Sequence, residues 1–122
     1  MNWRLDLTDS ELKALNDLLA PQTFDNLVEQ WRSFVHSIAD YRFSIYDYDN
    51  DVSVRERIEE CARQSDVELR TKILLATLES DLMFLESTQA MNRSHYSSAS
   101  WHSRLPSNPV GELLLDVTSG NL

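Results

Sequence analysis

The segment Asp47–Asp51 carries three aspartates at alternate positions, the spacing with which a calcium-binding loop of the EF-hand type begins. Such a loop also needs a sharp turn at its sixth position and a bidentate glutamate at its twelfth. Val52 and Ile58 occupy those two positions, so the calcium pattern is incomplete. We expect instead an acidic turn between two helices, which places negative charge at the N-terminus of a helix beginning near Ser53.

Aromatic side chains are concentrated before and within this turn, in residues 31–48. The core-facing stripe of a helix accounts for some of them, but Phe43 and Tyr46 fall off that stripe. Rigid aromatic anchors beside carboxylates that select a basic partner are typical of a protein-binding surface. The predicted partner-binding residues are Asp47, Asp49, Asp51, Tyr46, Tyr48 and Phe43.

Histidine and cysteine, the residue types that most often bind transition metals, are few and widely spaced. His36, His95 and His102 are the only histidines, no two of them are four positions apart, and Cys61 has no second ligand at metal-binding spacing. No serine lies in the Gly-x-Ser-x-Gly turn that exposes a hydrolase nucleophile. The sequence therefore predicts no catalytic residue, no metal and no cofactor, and we expect that the protein is not an enzyme.

The charge is strongly negative, with 20 acids against 11 bases and a formal net charge of −9. Residues 1–91 hold eighteen of the acids and nine of the bases, so the excess lies on the part with the clearest helical pattern. Such a surface repels phosphate backbones, which argues against direct nucleic-acid binding. It favours solubility, and it would attract a basic protein partner.

Features of the N-terminus and of the apolar runs predict a cytoplasmic protein. Residues Met1–Asp6 lack the basic start and the apolar stretch of a signal peptide. No apolar run approaches the ~20 residues of a membrane span, so we expect no membrane contact. A single cysteine, Cys61, cannot form an internal disulfide.

Four helices are predicted from capping signals and from apolar periodicity. Capping boxes, in which Ser or Thr precedes Glu by three positions, occur at Thr8, Ser53 and Ser65. The predicted helices span about Asp9–Ala20, Thr23–Tyr46, Val54–Gln64 and Asp66–Met91. The one open alternative is a short strand over residues 41–45, where apolar and polar side chains alternate.

The fourth predicted helix is apolar over most of its circumference. We expect five leucines to hold its buried face, namely Leu74, Leu75, Leu78, Leu82 and Leu85. A helix of this kind lies at the centre of a bundle or at a subunit interface.

The remaining residues, 92–122, are rich in serine but contain Trp101 and the triplet Leu113–Leu115. Such apolar groups are seldom left in water, so we expect this segment to pack on the helical bundle formed by residues 1–91 within one domain. Residues 1–110 contain no glycine, which suits long helices better than hairpins. The predicted fold is a small all-α bundle of about four main helices.

Three functional hypotheses follow from these observations. The first is a small acidic protein-binding domain, in particular an inhibitor of the immunity or antitoxin type that neutralises a basic partner. The second is a homo-oligomeric structural or adaptor protein that associates through the apolar helix near residues 66–91. The third is a small-ligand binder or an enzyme with a pocket under the C-terminal segment.

Overall fold

A computed structural model describes residues 6–122 of the chain, which form five α-helices, two short 3₁₀ helices and a two-stranded sheet. The helices are α1 (Asp9–Leu19), α2 (Phe24–His36), α3 (Ile45–Arg63), α4 (Val67–Ser87) and α5 (Gly111–Ser119), and the strands are β1 (Thr88–Ala90) and β2 (Arg104–Pro106). The prediction of a mainly helical chain is confirmed. Residues 1–5, on which the expectation of no signal peptide largely rests, lie outside the described range.

The first two helices begin where their caps predict. The hydroxyl of Thr8 accepts a hydrogen bond from the backbone N–H of Glu11, and the Glu11 carboxylate accepts one from the N–H of Thr8. Thr23 accepts from the N–H of Asn26 in the same way. These contacts satisfy donors that a helix N-terminus otherwise leaves free.

The prediction that the second helix extends to Tyr46 is wrong, and so is the alternative of a strand over residues 41–45. The helix ends at His36, a 3₁₀ turn covers Ile38–Asp40, and α3 begins at Ile45. Ser44 caps α3 by accepting from the N–H of Asp47. Because the chain re-enters a helix after only a short break, the apolar spacing continues across it, and periodicity alone cannot reveal the break.

Because α3 begins at Ile45, the prediction that the acidic segment is a turn between helices is also wrong. Asp47–Asp51 lies within the first turns of α3 rather than in a turn between helices. Ser53 is inside the helix and not at its start, and its hydroxyl donates to the carbonyl oxygen of Asp49. At the next predicted box, Asp66 rather than Ser65 caps α4, accepting from the N–H of Leu69.

Helix α4 ends at Ser87, not at Met91, because the chain becomes a strand. β1 pairs with β2 in antiparallel register, with Gln89 opposite Leu105. The hydroxyl of Thr88 donates to the carbonyl oxygen of Phe84, which closes the end of the helix. A strand partner 16 positions further along the chain gives no local signal, and the expectation of a purely helical fold is wrong in this detail.

The predicted orientation of α4 is also wrong. The five leucines Leu74, Leu75, Leu78, Leu82 and Leu85 are each between 38% and 52% exposed. The buried face contains Ile73, Thr77, Ser80, Asp81 and Phe84. Asp81 accepts hydrogen bonds from Arg55 and Trp31, both of which are buried. Because buried polar groups need hydrogen-bond partners, the pairing of these two donors with Asp81 decides which side of α4 faces the core.

The core forms around α2, which packs on both α3 and α4. The ring of Trp31 lies 4.9 Å from Phe84 and 5.8 Å from Trp101, centroid to centroid, so the C-terminal segment contributes to the same core. Helix α5 is held to the start of α3, since Asp116 accepts from the N–H of Ile45. None of the helices within residues 6–122 has the length and apolar character needed to cross a membrane.

Candidate functional site

A surface groove of about 580 Å³ lies between the outer side of α2 and the beginning of α3. Helix α2 contributes Glu29 and Gln30 to its wall, and the 3₁₀ turn contributes Asp40. The stretch that replaces the predicted continuation of helix two supplies Tyr41 and Phe43. The groove thus exists because the chain breaks between α2 and α3, and we call it the α2–α3 groove.

Tyr41 forms the floor of this groove. Its ring makes edge-to-face contacts with Phe34 at 5.5 Å, with Tyr48 at 5.6 Å and with Phe43 at 5.5 Å. Its hydroxyl donates to Oδ2 of Asp51 at 2.6 Å. Burial, the hydrogen bond to Asp51 and the charge of that carboxylate raise the pKa of Tyr41 above its ordinary value, so the phenol stays neutral and keeps Asp51 in place.

The groove presents negative charge together with an apolar anchor. Glu29, Asp40 and Asp51 line it, and none of the described residues in its lining is a lysine or an arginine. Phe43 lies at its edge with 62% of its surface exposed. Such an arrangement suits a ligand that combines positive charge with an apolar side chain.

Two of these carboxylates have basic neighbours at the surface. Arg32 lies 3.7 Å from Glu29, and Arg42 lies 2.9 Å from Asp40. All four side chains are at least about half exposed, and ion pairs of this kind contribute little to stability. A cation from a partner can therefore replace either arginine at small cost.

The structure brings only two of the six predicted partner-binding residues, Asp51 and Phe43, into this groove. Asp47 and Tyr46 lie in the first turn of α3 and do not line it, although both are exposed. The groove residues that the sequence does not indicate include Glu29, Gln30 and Ser33 of α2 and Asp40 of the 3₁₀ turn. The available signal for the first three is their position on the polar side of α2.

Tyr48 is fully buried and does not reach the surface. Its hydroxyl donates to the carbonyl oxygen of Arg104 at 2.6 Å, which joins α3 to β2. Burial and the nearby charge of Asp49 raise its pKa. Tyr48 thus has a role in the core in this structure.

Asp49 faces the C-terminal segment, away from the groove. Its two carboxylate oxygens accept from Nη1 and Nη2 of Arg93 at 2.6 and 2.9 Å. Arg93 is 5% exposed and its guanidinium lies 4.6 Å from the ring of Tyr96, which stacks on His102. These contacts fasten the serine-rich segment to α3, and we call them the Asp49–Arg93 clip.

Beside this clip, Ser53, His102 and Glu56 follow one another as in a hydrolase triad. Ser53 Oγ lies 3.1 Å from His102 Nε2, and His102 Nδ1 lies 3.6 Å from Glu56 Oε1. However, the hydroxyl of Ser53 donates to the carbonyl oxygen of Asp49 at 2.8 Å rather than to His102, and His102 Nε2 also lies 3.1 Å from that oxygen. The three residues are therefore better explained as part of the packing of the C-terminal segment.

Within residues 6–122 no group of three or more His, Cys, Asp or Glu side chains has an arrangement that could hold a metal ion. Cys61 is buried, and burial raises the pKa of its thiol. Comparison of the chain with protein-family models, with curated proteins and with solved structures found no match. Any functional inference therefore depends on the surface itself.

Proposed function

We propose that this chain is a protein-binding domain whose α2–α3 groove takes a basic segment of a partner protein. The observation that carries the proposal is the lining of the groove, where Glu29, Asp40 and Asp51 surround an aromatic floor and none of the described lining residues is basic. The formal charge of −9 on the whole chain extends the negative electrostatic potential beyond the groove. Long-range attraction of this kind accelerates encounter with a cationic partner.

Binding energy would come mainly from the apolar part of the groove. Phe43 is exposed in the free protein, while Phe34 and Tyr41 beneath it are already fixed by ring contacts. Because the side chains of this floor are already ordered, little conformational entropy is lost when a partner's apolar side chain covers them. The carboxylates would then select a partner with lysine or arginine next to that side chain.

The specific form that we favour is an inhibitor of the immunity or antitoxin type, which neutralises a basic protein by covering part of its surface. The small size and the acidity of the chain support this form. So do the ring contacts of Tyr41 with Phe34 and Phe43, because a tight inhibitor gains from a surface that is ordered before it binds.

The proposal is tested by titrating the ¹⁵N-labelled full chain with a synthetic peptide of alternating lysine and leucine. We expect chemical-shift changes at Gln30, Phe43 and Val54, all of which line the groove. A peptide with glutamate in place of lysine should cause none. Shift changes spread evenly over the acidic surface, or confined to a different face, would contradict the proposal.

Two exposed aromatic residues offer a matched comparison. Phe43→Ala should raise the dissociation rate of the lysine–leucine peptide by on the order of tenfold, as expected for an anchor worth about 1.4 kcal/mol. Tyr46 is 73% exposed but does not line the groove, so Tyr46→Ala should leave that rate nearly unchanged. The reverse order of effects would place the contact on the first turn of α3 instead.

A further inference from the structure

The five exposed leucines of α4 form one continuous apolar surface, which we call the leucine face. Leu74, Leu78, Leu82 and Leu85 recur at intervals of three or four residues, and Leu75 lies beside them. Residues with this spacing lie on one side of a helix. Val67, which is 74% exposed, extends the same side towards the N-terminus of α4.

This face is not required for folding of the single chain. The opposite side of α4, with Ile73 and Phe84 both at 0% exposure, already provides its contact with the core. The leucine face lies in solvent on the other side of α4, and only contact with another molecule can bury it. The five leucines expose on the order of 400 Å² of apolar surface, the size of the largest patch on a typical monomer, which is frequently functional.

We propose that the leucine face is the contact between two copies of this chain. Thr71, the polar residue within the stripe, donates its hydroxyl to the carbonyl oxygen of Val67 in its own helix. The face therefore presents leucine side chains without a polar group that requires a complementary partner, and an identical face satisfies it. Ridges of residues four apart on one helix fit the grooves between such ridges on another.

The area of the face limits the kind of dimer that can be expected. Two leucine faces together bury on the order of 800 Å², which is below the roughly 1,200–2,000 Å² of stable specific interfaces and typical of weak, reversible contacts. We therefore expect a reversible dimer with a dissociation constant in about the micromolar range rather than an obligate one. The leucine face and the α2–α3 groove share no residue, so each proposal stands or fails without the other.

Charge gives the dimer a distinctive salt dependence. Each copy carries a formal charge of −9, and Glu68, Glu79 and Glu86 lie along one side of the leucine face. Mutual repulsion opposes pairing at low ionic strength and is screened as salt is added. Dimerisation should therefore strengthen with salt, whereas binding of a basic segment in the α2–α3 groove should weaken.

The test is sedimentation equilibrium of the full chain at about 20 mM and about 300 mM salt, conditions that differ several-fold in screening length. The wild-type chain should dimerise in the micromolar range, more strongly at the higher salt concentration. Leu78→Glu/Leu82→Glu should weaken the dimer at least about tenfold. The milder Leu78→Gln/Leu82→Gln should do so as well, and circular dichroism should show that both variants keep the wild-type fold.

A control variant adds the same charge elsewhere. Leu18→Glu/Leu115→Glu alters exposed leucines of α1 and α5 and should leave the dissociation constant within about twofold of the wild-type value. A wild-type chain that stays monomeric at about 200 µM, far above the expected micromolar dissociation constant, would overturn the proposal. So would a leucine-face variant that dimerises like the wild type, or a control that weakens the dimer equally.

Discussion

The guanidinium of Arg55 in α3 meets the carboxylate of Asp81 in α4 through two parallel hydrogen bonds, Nε to Oδ1 at 2.9 Å and Nη2 to Oδ2 at 3.0 Å. Glu59 accepts a third bond from Nη1 at 2.7 Å, and the indole of Trp31 and the hydroxyl of Thr77 donate to Asp81. Burial opposes the charge on Arg55, but the bonds to Asp81 and Glu59 outweigh it and raise the pKa of the guanidinium. A network with its partners satisfied in this way can define one arrangement of α2, α3 and α4.

Removal of one member of this network should be strongly destabilising. Asp81→Ala leaves Arg55, which is 1% exposed, without its bidentate partner, and should lower the free energy of unfolding by about 3–5 kcal/mol in a urea melt. The exposed pair Lys13–Asp17 supplies the control, because Asp17→Ala should cost less than about 1 kcal/mol. A cost below about 1 kcal/mol for Asp81→Ala would show that the buried pair does not hold the helices together.

Truncation of a side chain should cost much more stability on the buried side of α4 than on its exposed side. Ile73→Ala removes a fully buried side chain and should cost about 2–5 kcal/mol. Leu78→Ala shortens a side chain that is 48% exposed and should cost less than about 1 kcal/mol when the chain is dilute enough to be monomeric. Urea melts at low protein concentration measure both, and equal costs would contradict the orientation of α4 described above.

The helix starts of α1 and α2 were predictable because their signals are local, since Thr8 and Thr23 cap the residues that directly follow them. The orientation of α4 was not, because its leucine-rich side lies in solvent, while the buried side contains the polar residues Thr77, Ser80 and Asp81. The deciding group, Arg55, lies 26 positions from Asp81 in the sequence.

For the site, the sequence indicates acidity and aromatic character near Asp51 and Phe43. The α2 wall of the groove depends on where the chain breaks, which the uninterrupted periodicity conceals.

Alkaline pH should reveal the two buried phenols. Burial is the main cause of the raised pKa values of both Tyr41 and Tyr48. A raised pKa in the folded state adds stability that is complete below the unfolded value of about 10 and is lost as the pH rises above it. Phenolate absorbance from these two residues should therefore appear only with loss of helical circular dichroism. If Tyr41 and Tyr48 are fully deprotonated near pH 10 while the chain is still folded, the burial of their phenol groups is contradicted.

The Asp49–Arg93 clip should control the order of the C-terminal segment. Asp49→Ala leaves the buried guanidinium of Arg93 without its carboxylate, so amide hydrogen exchange in residues 92–103 should accelerate. Asp47 is exposed, and its side chain accepts a hydrogen bond from Ser44 in its own turn and from no other side chain among residues 6–122, so Asp47→Ala should not accelerate exchange in that segment. If residues 92–103 exchange at equal rates in the two variants, the Asp49–Arg93 clip is not what orders this segment.

The most direct measurement of the proposed function compares two variants that each lose three negative charges. Glu29→Gln/Asp40→Asn/Asp51→Asn neutralises the α2–α3 groove, whereas Asp17→Asn/Glu68→Gln/Glu112→Gln neutralises exposed acids on α1, α4 and α5. The affinity of the lysine–leucine peptide is measured by isothermal titration calorimetry at physiological salt. If the groove takes basic segments, the first variant should bind at least about tenfold more weakly and the second within about threefold of the wild type. Equal losses in both variants would mean that only the net charge attracts the peptide, and would contradict a binding site in the groove.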